Sequence, residues 1–163
     1  MHSNRVVLRS VQPEDAPQLL AIGREPSVQR WWNAVHEEDV VADADGNAVR
    51  FAVLVDGERA GLVQYEEELE PDFRTAWIDI FLGERWQGRG LGAETIRTVC
   101  RHLLDERGHH RLTIDPAAAN EAAIRCYASV GFRPVGVMRQ YWRNGDGVWC
   151  DGLLMDLLAA ELT

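Results

Sequence analysis

Alternating and clustered apolar residues predict where this chain forms strands. The segments that fit a strand are short, rich in β-branched and aromatic residues, and bounded by turn residues. They are Val6–Val11, Phe51–Val55, Ala60–Glu66, Trp77–Leu82, Leu112–Asp115, Val135–Arg143 and Val148–Leu157. Asp56-Gly57, between the second and third of these, is typical of a hairpin turn. Asn144-Gly145-Asp146-Gly147 joins the last two strands in the same way.

Helical spacing of apolar residues predicts the remaining elements. The predicted helices are Pro13–Ile22, Ser27–Trp32, Arg89–Arg107 and Asn120–Val130. On the third helix one apolar face is formed by Ile96, Val99, Cys100, Leu103 and Leu104. Gly108 and Gly131 follow the last two helices as stop signals, and Asn120 is a suitable N-cap. The acidic stretch from Glu37 to Gly46 is predicted to be a mobile connection.

The order of these elements is strand, two helices, three strands, helix, strand, helix and two strands. Hairpins outnumber βαβ crossovers, which favours an α+β fold with a mixed, mainly antiparallel sheet flanked by helices. No linker or repeat divides the chain, so residues 1–163 are predicted to form one domain. We expect a monomer or a homodimer.

Charge and cysteine usage narrow the function classes. The 26 acidic and 17 basic residues leave a net charge of −9, which argues against binding nucleic acid and suits a cationic partner or plain solubility. The three cysteines are far apart and show neither disulfide nor zinc-site spacing, so no metal is expected. The start of the chain has no apolar secretory core, and no apolar run is long enough to span a membrane. These features predict a cytoplasmic protein without a membrane partner.

A glycine-rich loop between a strand and a helix carries the strongest functional signal. The segment is Gln87-Gly88-Arg89-Gly90-Leu91-Gly92. Glycines allow a ligand to approach the backbone, and the free N–H groups of a helix start bind anions, so a phosphate-bearing cofactor is expected. The loop satisfies the dinucleotide fingerprint GxGxxG/A, with Asp115 as the ribose-binding acid, which would make the protein an NAD(P)-binding oxidoreductase. The hairpins that precede the loop, however, do not fit a doubly wound sheet.

The second interpretation fits more of the chain. Gln87-x-x-Gly90-x-Gly92 resembles the pyrophosphate-binding signature of the GNAT superfamily of N-acetyltransferases. The later segment from Asn120 through Ala123 to Tyr127, followed by Gly131-Phe132, resembles the same superfamily's second motif. The resemblance implies a three-layer α/β/α GNAT fold and acetyl-CoA as cosubstrate. It leaves a coenzyme A-binding module without catalysis as a further alternative.

The resemblance also implies which residues hold the cosubstrate and carry the chemistry. The expected cofactor-binding residues are Phe81, Leu82, Gln87, Gly88, Arg89, Gly90, Leu91, Gly92, Asn120, Ala123 and Tyr127. Tyr127 takes the position of the acid that protonates coenzyme A, although it could simply be a packed aromatic. Asp79 lies in the strand before the loop and could accept the proton of the attacking amine. A structural carboxylate locked to a partner is the other interpretation of Asp79.

The acceptor is predicted to be the primary amine of a cationic small molecule. Within the superfamily the chain looks most like the aminoglycoside 6'-N-acetyltransferases, through Trp31-Trp32, the Asp79 strand, Asp115-Pro116 and the Tyr127 segment. The expected substrate-binding residues are Trp32, Glu66, Asp79, Asp115 and Asp151. The ending Tyr141-Trp142-Arg143 with Trp149 to Gly152 is common to enzymes that act on other amines. A polyamine, an amino sugar or a protein N-terminus therefore stays open as the acceptor.

Overall fold

The computed structural model describes residues 1–32, 35–40 and 48–163. Its strands are β1 (Val7–Ser10), β2 (Val49–Val55), β3 (Glu58–Glu68), β4 (Thr75–Leu82), β5 (Arg111–Ile114), β6 (Arg133–Arg143) and β7 (Trp149–Leu158). Its α-helices are α1 (Ala16–Gly23), α2 (Pro26–Gln29), α3 (Glu37–Val40), α4 (Leu91–Arg101) and α5 (Glu121–Ala128). The predicted strands are therefore all present, with ends shifted by a few residues.

The strands form one mixed sheet in the order β1-β2-β3-β4-β5-β7-β6. The β4–β5 pair is parallel, and the other neighbouring pairs are antiparallel. Asp56 and Gly57 have φ of 52° and 80°, as a tight two-residue hairpin turn requires. This confirms the predicted mixed, mainly antiparallel sheet, and its strand order rules out the doubly wound sheet that a dinucleotide-binding oxidoreductase would need.

Helices cover both faces of the sheet, which gives the predicted three layers. On one face, Ile96, Val99 and Leu103 of the α4 segment pack against Ile78 and Leu112. On the other face, Leu19 and Val28 of the first two helices pack against Leu62 and Phe81. Side chains of β4 alternate between the two faces, since Phe81 belongs to the second cluster while Ile78 and Leu82 belong to the first.

Several helix boundaries differ from the predictions for local reasons. Helix α4 begins at Leu91 rather than Arg89, because Gly90 adopts the left-handed conformation as its N-cap. A π-helical turn, His102–Glu106, continues α4 to the predicted end. The first predicted helix opens as a 3₁₀ turn, Pro13–Asp15. The predicted mobile connection begins as helix α3, which corrects that prediction, and its remainder from residue 41 lies outside the described residues.

A buried ion cluster joins the start of the chain to the sheet. The Asp15 carboxylate is fully buried and accepts from Arg9 Nη2 at 2.7 Å and from Arg59 Nε at 2.8 Å. The Gln12 N–H donates to its other oxygen at 2.8 Å. Burial opposes ionisation, but these hydrogen bonds outweigh it and lower the pKa of Asp15 to about 2. Among the described residues, no helix is long and apolar enough to cross a membrane.

Candidate active site

The sheet opens between its two parallel strands. In the described chain, the β4–β5 pairing is confined to Ala76 with Leu112 and Trp77 with Thr113. Beyond Trp77 the strands diverge, so the second half of β4 has a free edge facing the end of β5. The backbone N–H and C=O groups along that edge can pair with an extended ligand. The opening therefore combines a sheet edge with the ends of two strands.

A cavity of about 520 Å³ occupies this opening. Its wall consists of β4, the glycine loop, the first turn of α4, the end of β5, helix α5 and the α2 region. The predicted residues that line it are Trp32, Asp79, Phe81, Leu82, Gln87, Gly88, Gly90, Gly92, Asp115, Asn120, Ala123 and Tyr127. A cavity of this size is typical of a small-molecule site. The structure thus brings most of the predicted site residues together.

Four predicted residues do not line this cavity. Leu91 is buried in the main core, so any contact it makes with a ligand would come from its backbone. Arg89 stacks its guanidinium 5.2 Å from the ring centre of Trp86. Glu66 is exposed on β3, and Asp151 belongs to a neighbouring groove that is also lined by Trp31 and Trp149. The sequence motif identified the segment but could not show where the side chains of Arg89 and Leu91 point.

The backbone of the glycine loop is exposed to the cavity, because glycines line it there. Gly88 and Gly90 have φ of 68° and 76°, a region that side chains with a Cβ rarely adopt. A Cβ added at Gly92 would lie 3.3 Å from the Sγ atom of Cys126, which is already tight. Gln87 Nε2 donates to the Leu82 carbonyl at 2.8 Å and ties the loop to the end of β4. Such a loop at the start of α4 fits a pyrophosphate.

The beginning of the chain braces this loop, a feature that the sequence analysis missed. Arg5 Nη1 donates to the Arg89 carbonyl at 3.0 Å, and Arg5 Nε donates to Glu94 in the first turn of α4 at 2.7 Å. Ser3 Oγ donates to the same carboxylate at 2.6 Å. Arg5 also brings positive charge beside the loop in a chain whose net charge is −9. No local signal could reveal this contact, because Arg5 and Arg89 are 84 positions apart.

Asp79 lies in β4 and opens into the cavity. Its cross-strand neighbour on β3, Gln64, hydrogen-bonds the Asp79 carboxylate and also accepts from Arg50 Nε at 3.1 Å. Asp79 is open to the cavity, yet the surrounding protein still desolvates it, which is the main cause that raises its pKa to about 7, and the negative charge of Asp115 raises the pKa further. A carboxylate with this pKa is half ionised near neutral pH, where a general base is most effective.

Tyr127 lies on helix α5, opposite β4. Its side chain is buried, and its ring packs at 6.4 Å from that of Phe132. Burial raises its pKa, with smaller contributions from Cys126, Asp79 and Asp115, so the phenol stays protonated at neutral pH. Tyr127 packs in the core and also lines the cavity, so its role as the acid that protonates coenzyme A stays a prediction.

Asp115 follows β5 and supplies a second carboxylate to the cavity. Burial raises the pKa of Asp115 above its ordinary value, and hydrogen bonds from the Tyr141 hydroxyl and from the Asp115 backbone N–H offset only part of that rise. The same hydrogen bond, together with burial, raises the pKa of Tyr141 to about 12. Sequence analysis noted Tyr141 only as part of a common ending. Its contact with Asp115 joins positions 26 apart, one just after β5 and the other on β6, and no local pattern signals it.

Asn120 and the tryptophans complete the wall. The side-chain oxygen of Asn120 accepts from the Ala123 N–H at 3.1 Å, which confirms it as the N-cap of α5. Trp32 packs edge to face on Phe81, with ring centres 5.0 Å apart, and both residues line the cavity. Within the described part of the chain, no group of three or more His, Cys, Asp or Glu residues could hold a metal ion.

Comparisons with known proteins agree with this geometry. A family model described as an acetyltransferase (GNAT) domain matches residues 5–133. The chain is 25% identical over 158 residues to aminoglycoside N(6')-acetyltransferase type 1 of Klebsiella pneumoniae, covering 83% of this chain and 78% of that protein. It is 28% identical over 152 residues to spermidine N(1)-acetyltransferase of Escherichia coli strain K12, covering 88% of this chain and 81% of that protein.

The fold comparison points the same way. The structure of AAC(6')-Ib in complex with paromomycin and acetyl-CoA superposes with a TM-score of 0.79 at 22% identity, covering 97% of this chain and 96% of that one. At this identity the likeness shows the fold. The family model covers most of the chain and includes the glycine loop, β4 and helix α5. The chain therefore belongs to the GNAT family and is an acetyl-CoA-dependent N-acetyltransferase.

Proposed function

We propose that this enzyme acetylates a primary amine of a cationic small molecule, aminoglycoside-like in character, by direct attack within a ternary complex. The observation that carries the proposal is the meeting of two carboxylates, Asp79 and Asp115, in one cavity with the protonated phenol of Tyr127. Paired carboxylates attract a molecule with more than one positive charge. The relatives that act on aminoglycosides and on spermidine support the same class of acceptor.

Asp79 serves as the base in this proposal. Its carboxylate takes a proton from the incoming ammonium, directly or through water, so that the nitrogen gains a free electron pair. That nitrogen forms the new C–N bond with the acetyl carbon while the C–S bond of the thioester breaks, and the second proton that the nitrogen loses on becoming an amide returns to the Tyr127 oxygen. A pKa of about 7 suits the step, because Asp79 is then both available as a base and able to release the proton afterwards.

Tyr127 acts on the departing sulfur, and the free edge of β4 acts on the carbonyl oxygen, where negative charge develops. Tyr127 gives its proton to the departing sulfur, for which its protonated state at neutral pH is required. A backbone N–H near Phe81 and Leu82, on the free edge of β4, donates to the carbonyl oxygen as negative charge develops there. Residues Gln87 to Gly92 would hold the pyrophosphate of acetyl-CoA, which supplies the activated acetyl group.

Thiol release tests the acceptor class directly. The purified enzyme is given acetyl-CoA with an aminoglycoside bearing a 6'-amine, spermidine, glucosamine or a peptide beginning with alanine, at matched concentrations. We expect the two polycations to have the highest kcat/KM, and to lose it at high salt as their charges are screened. A clear preference for the peptide would contradict the proposed acceptor and favour a protein N-terminus. A preference for glucosamine would favour an amino sugar.

A further inference from the structure

Strand β6 carries an irregular bulge towards its C-terminal end. Met138 pairs with Gly152 and Trp142 pairs with Cys150, so residues 139–141 of β6 stand opposite Asp151 alone. Bulges of this kind re-aim side chains and are frequent beside active sites. Here the bulge turns Tyr141 away from its regular sheet position. Its hydroxyl donates to Oδ2 of Asp115 across the strand that lies between them.

Two features of β7 hold the bulge in this shape. Asp151 Oδ1 accepts from the Gln140 N–H at 2.8 Å, and Gln140 has a φ of 50°, unusual for a residue with a side chain. Gly152 leaves room for the phenol ring, since a Cβ there would lie 2.7 Å from Tyr141 Cδ1. The contacts explain why an aspartate followed by a glycine stands opposite Tyr141. Asp151 was predicted to bind substrate, but in the structure its Oδ1 atom accepts the hydrogen bond from Gln140 in the bulge.

We propose that Tyr141 is a positioning residue of the acceptor site, which holds Asp115 in its ionised form and leaves Asp79 alone to exchange the proton. The inference rests on the proposed function, because it assigns separate tasks to the two carboxylates. Asp115 keeps one oxygen on Tyr141 and presents the other to a cationic group of the acceptor. The negative charge of Asp115 in turn raises the pKa of Asp79 further than burial alone does.

The groups around Asp115 agree with this division. It faces Asp79 on β4, Tyr127 on α5 and Tyr141 on β6, and Glu66 on β3 adds negative charge near Asp79. Among these described neighbours, Tyr141 is the side chain that donates a hydrogen bond to Asp115, and the Asp115 backbone N–H makes a smaller contribution that also favours the ionised form. Two interacting carboxylates titrate in coupled steps, so a donor on one of them widens the separation between the steps.

Carboxyl titration followed by ¹³C NMR tests the proposal without any acetyl transfer. Asp79→Asn and Asp115→Asn identify the two signals, and the titration is then compared in wild type and Tyr141→Phe. We expect the lower titration step to rise by about half a pH unit or more and the two steps to approach each other. Tyr65→Phe is the matched control, because its hydroxyl contacts His102 at 3.3 Å outside the site. Unchanged steps in Tyr141→Phe would overturn the proposal.

Steady-state kinetics then test the consequence for the acceptor. On the best amine found, Tyr141→Phe should raise KM about tenfold and change kcat much less, since the anchor rather than the base is disturbed. Asp151→Ala should reproduce the effect by releasing the bulge, and Asp151→Asn, which keeps an acceptor oxygen for Gln140, should restore most of the affinity. An equal loss in Tyr65→Phe would overturn the proposal. If wild type acetylates no cationic amine, the proposed function fails, while the titration still decides the role of Tyr141.

Discussion

The Sγ atom of Cys126 on helix α5 lies against Gly92 of the glycine loop, 3.3 Å from where a Cβ of residue 92 would be. Gly92 and Cys126 both line the cavity, so a side chain at position 92 would crowd helix α5 and the proposed cosubstrate site together. This close approach links the loop that we propose binds the pyrophosphate to the helix that carries Tyr127.

Gly92→Val is expected to weaken acetyl-CoA binding at least about tenfold, or about 1.4 kcal/mol. The larger side chain must either push against Cys126 or extend into the cavity, and both disturb the pyrophosphate site. Isothermal titration calorimetry with acetyl-CoA measures the effect. Gly136→Val is the control, since a Cβ there meets nothing within 4 Å. Equal affinity in Gly92→Val and wild type would remove the loop from the cosubstrate site.

Tyr127→Phe is expected to lower kcat by roughly 10²-fold while acetyl-CoA affinity is retained. The substitution preserves the ring and its packing on Phe132 but removes the proton that the departing sulfur needs. Single-turnover and steady-state rates on one active amine, with calorimetry for the cosubstrate, separate the two effects. Full turnover combined with lower thermal stability would assign Tyr127 to the core alone.

Asp79→Asn is expected to lower kcat/KM by about 10²-fold at neutral pH, where the amine is mainly ammonium. In wild type, kcat/KM should rise as pH increases through about 7, because the Asp79 carboxylate becomes available as a base. In the variant this rise of kcat/KM near pH 7 should disappear. Activity should recover only at higher pH, where the amine loses its proton to solvent. A variant profile that merely parallels that of wild type would place the base elsewhere.

The thermal stability of Asp79→Asn distinguishes a catalytic from a structural carboxylate. The folded-state pKa of Asp79 is raised above its ordinary value, so its ionisation opposes folding as pH rises from about 4 towards 7. We therefore expect the variant to be at least as stable as wild type at pH 8, by differential scanning calorimetry. A large loss of stability there would mean that Asp79 is held by a structural partner.

Asp15→Asn is expected to lower the free energy of unfolding by about 2 kcal/mol at pH 7. The folded-state pKa of Asp15 is about 2, below its ordinary value of 3.8, so its ionised form stabilises the fold. That contribution is fully present above about pH 4 and is lost as pH falls towards 2. Urea unfolding across this range should show the two proteins converging, and a pH-independent difference would contradict the electrostatic cause. Asp72→Asn, on an exposed turn, is the control.

The sequence predicted the strands, the main helices and the glycine loop because each depends on local signals. Apolar alternation defines β4, helical spacing defines the buried face of α4, and Asn120 caps α5 through a contact three residues away. The helix boundary at Gly90 was missed because a left-handed cap is a backbone geometry that a run of glycines does not specify. The glycine loop and the Tyr127 segment together predicted most of the cavity wall.

By itself, then, the sequence determined the order of the strands and of the main helices, the family, and most of the residues that line the cavity. Only the tertiary structure decided how the strands separate after Trp77, that Arg5 braces the loop, and that Tyr141 hydrogen-bonds Asp115. These relationships join distant positions, and each depends on the relative placement of whole strands and helices. The physical reason is that short-range propensity acts along the chain, whereas the proton affinities of Asp79 and Asp115 arise from burial and charges that only folding brings together.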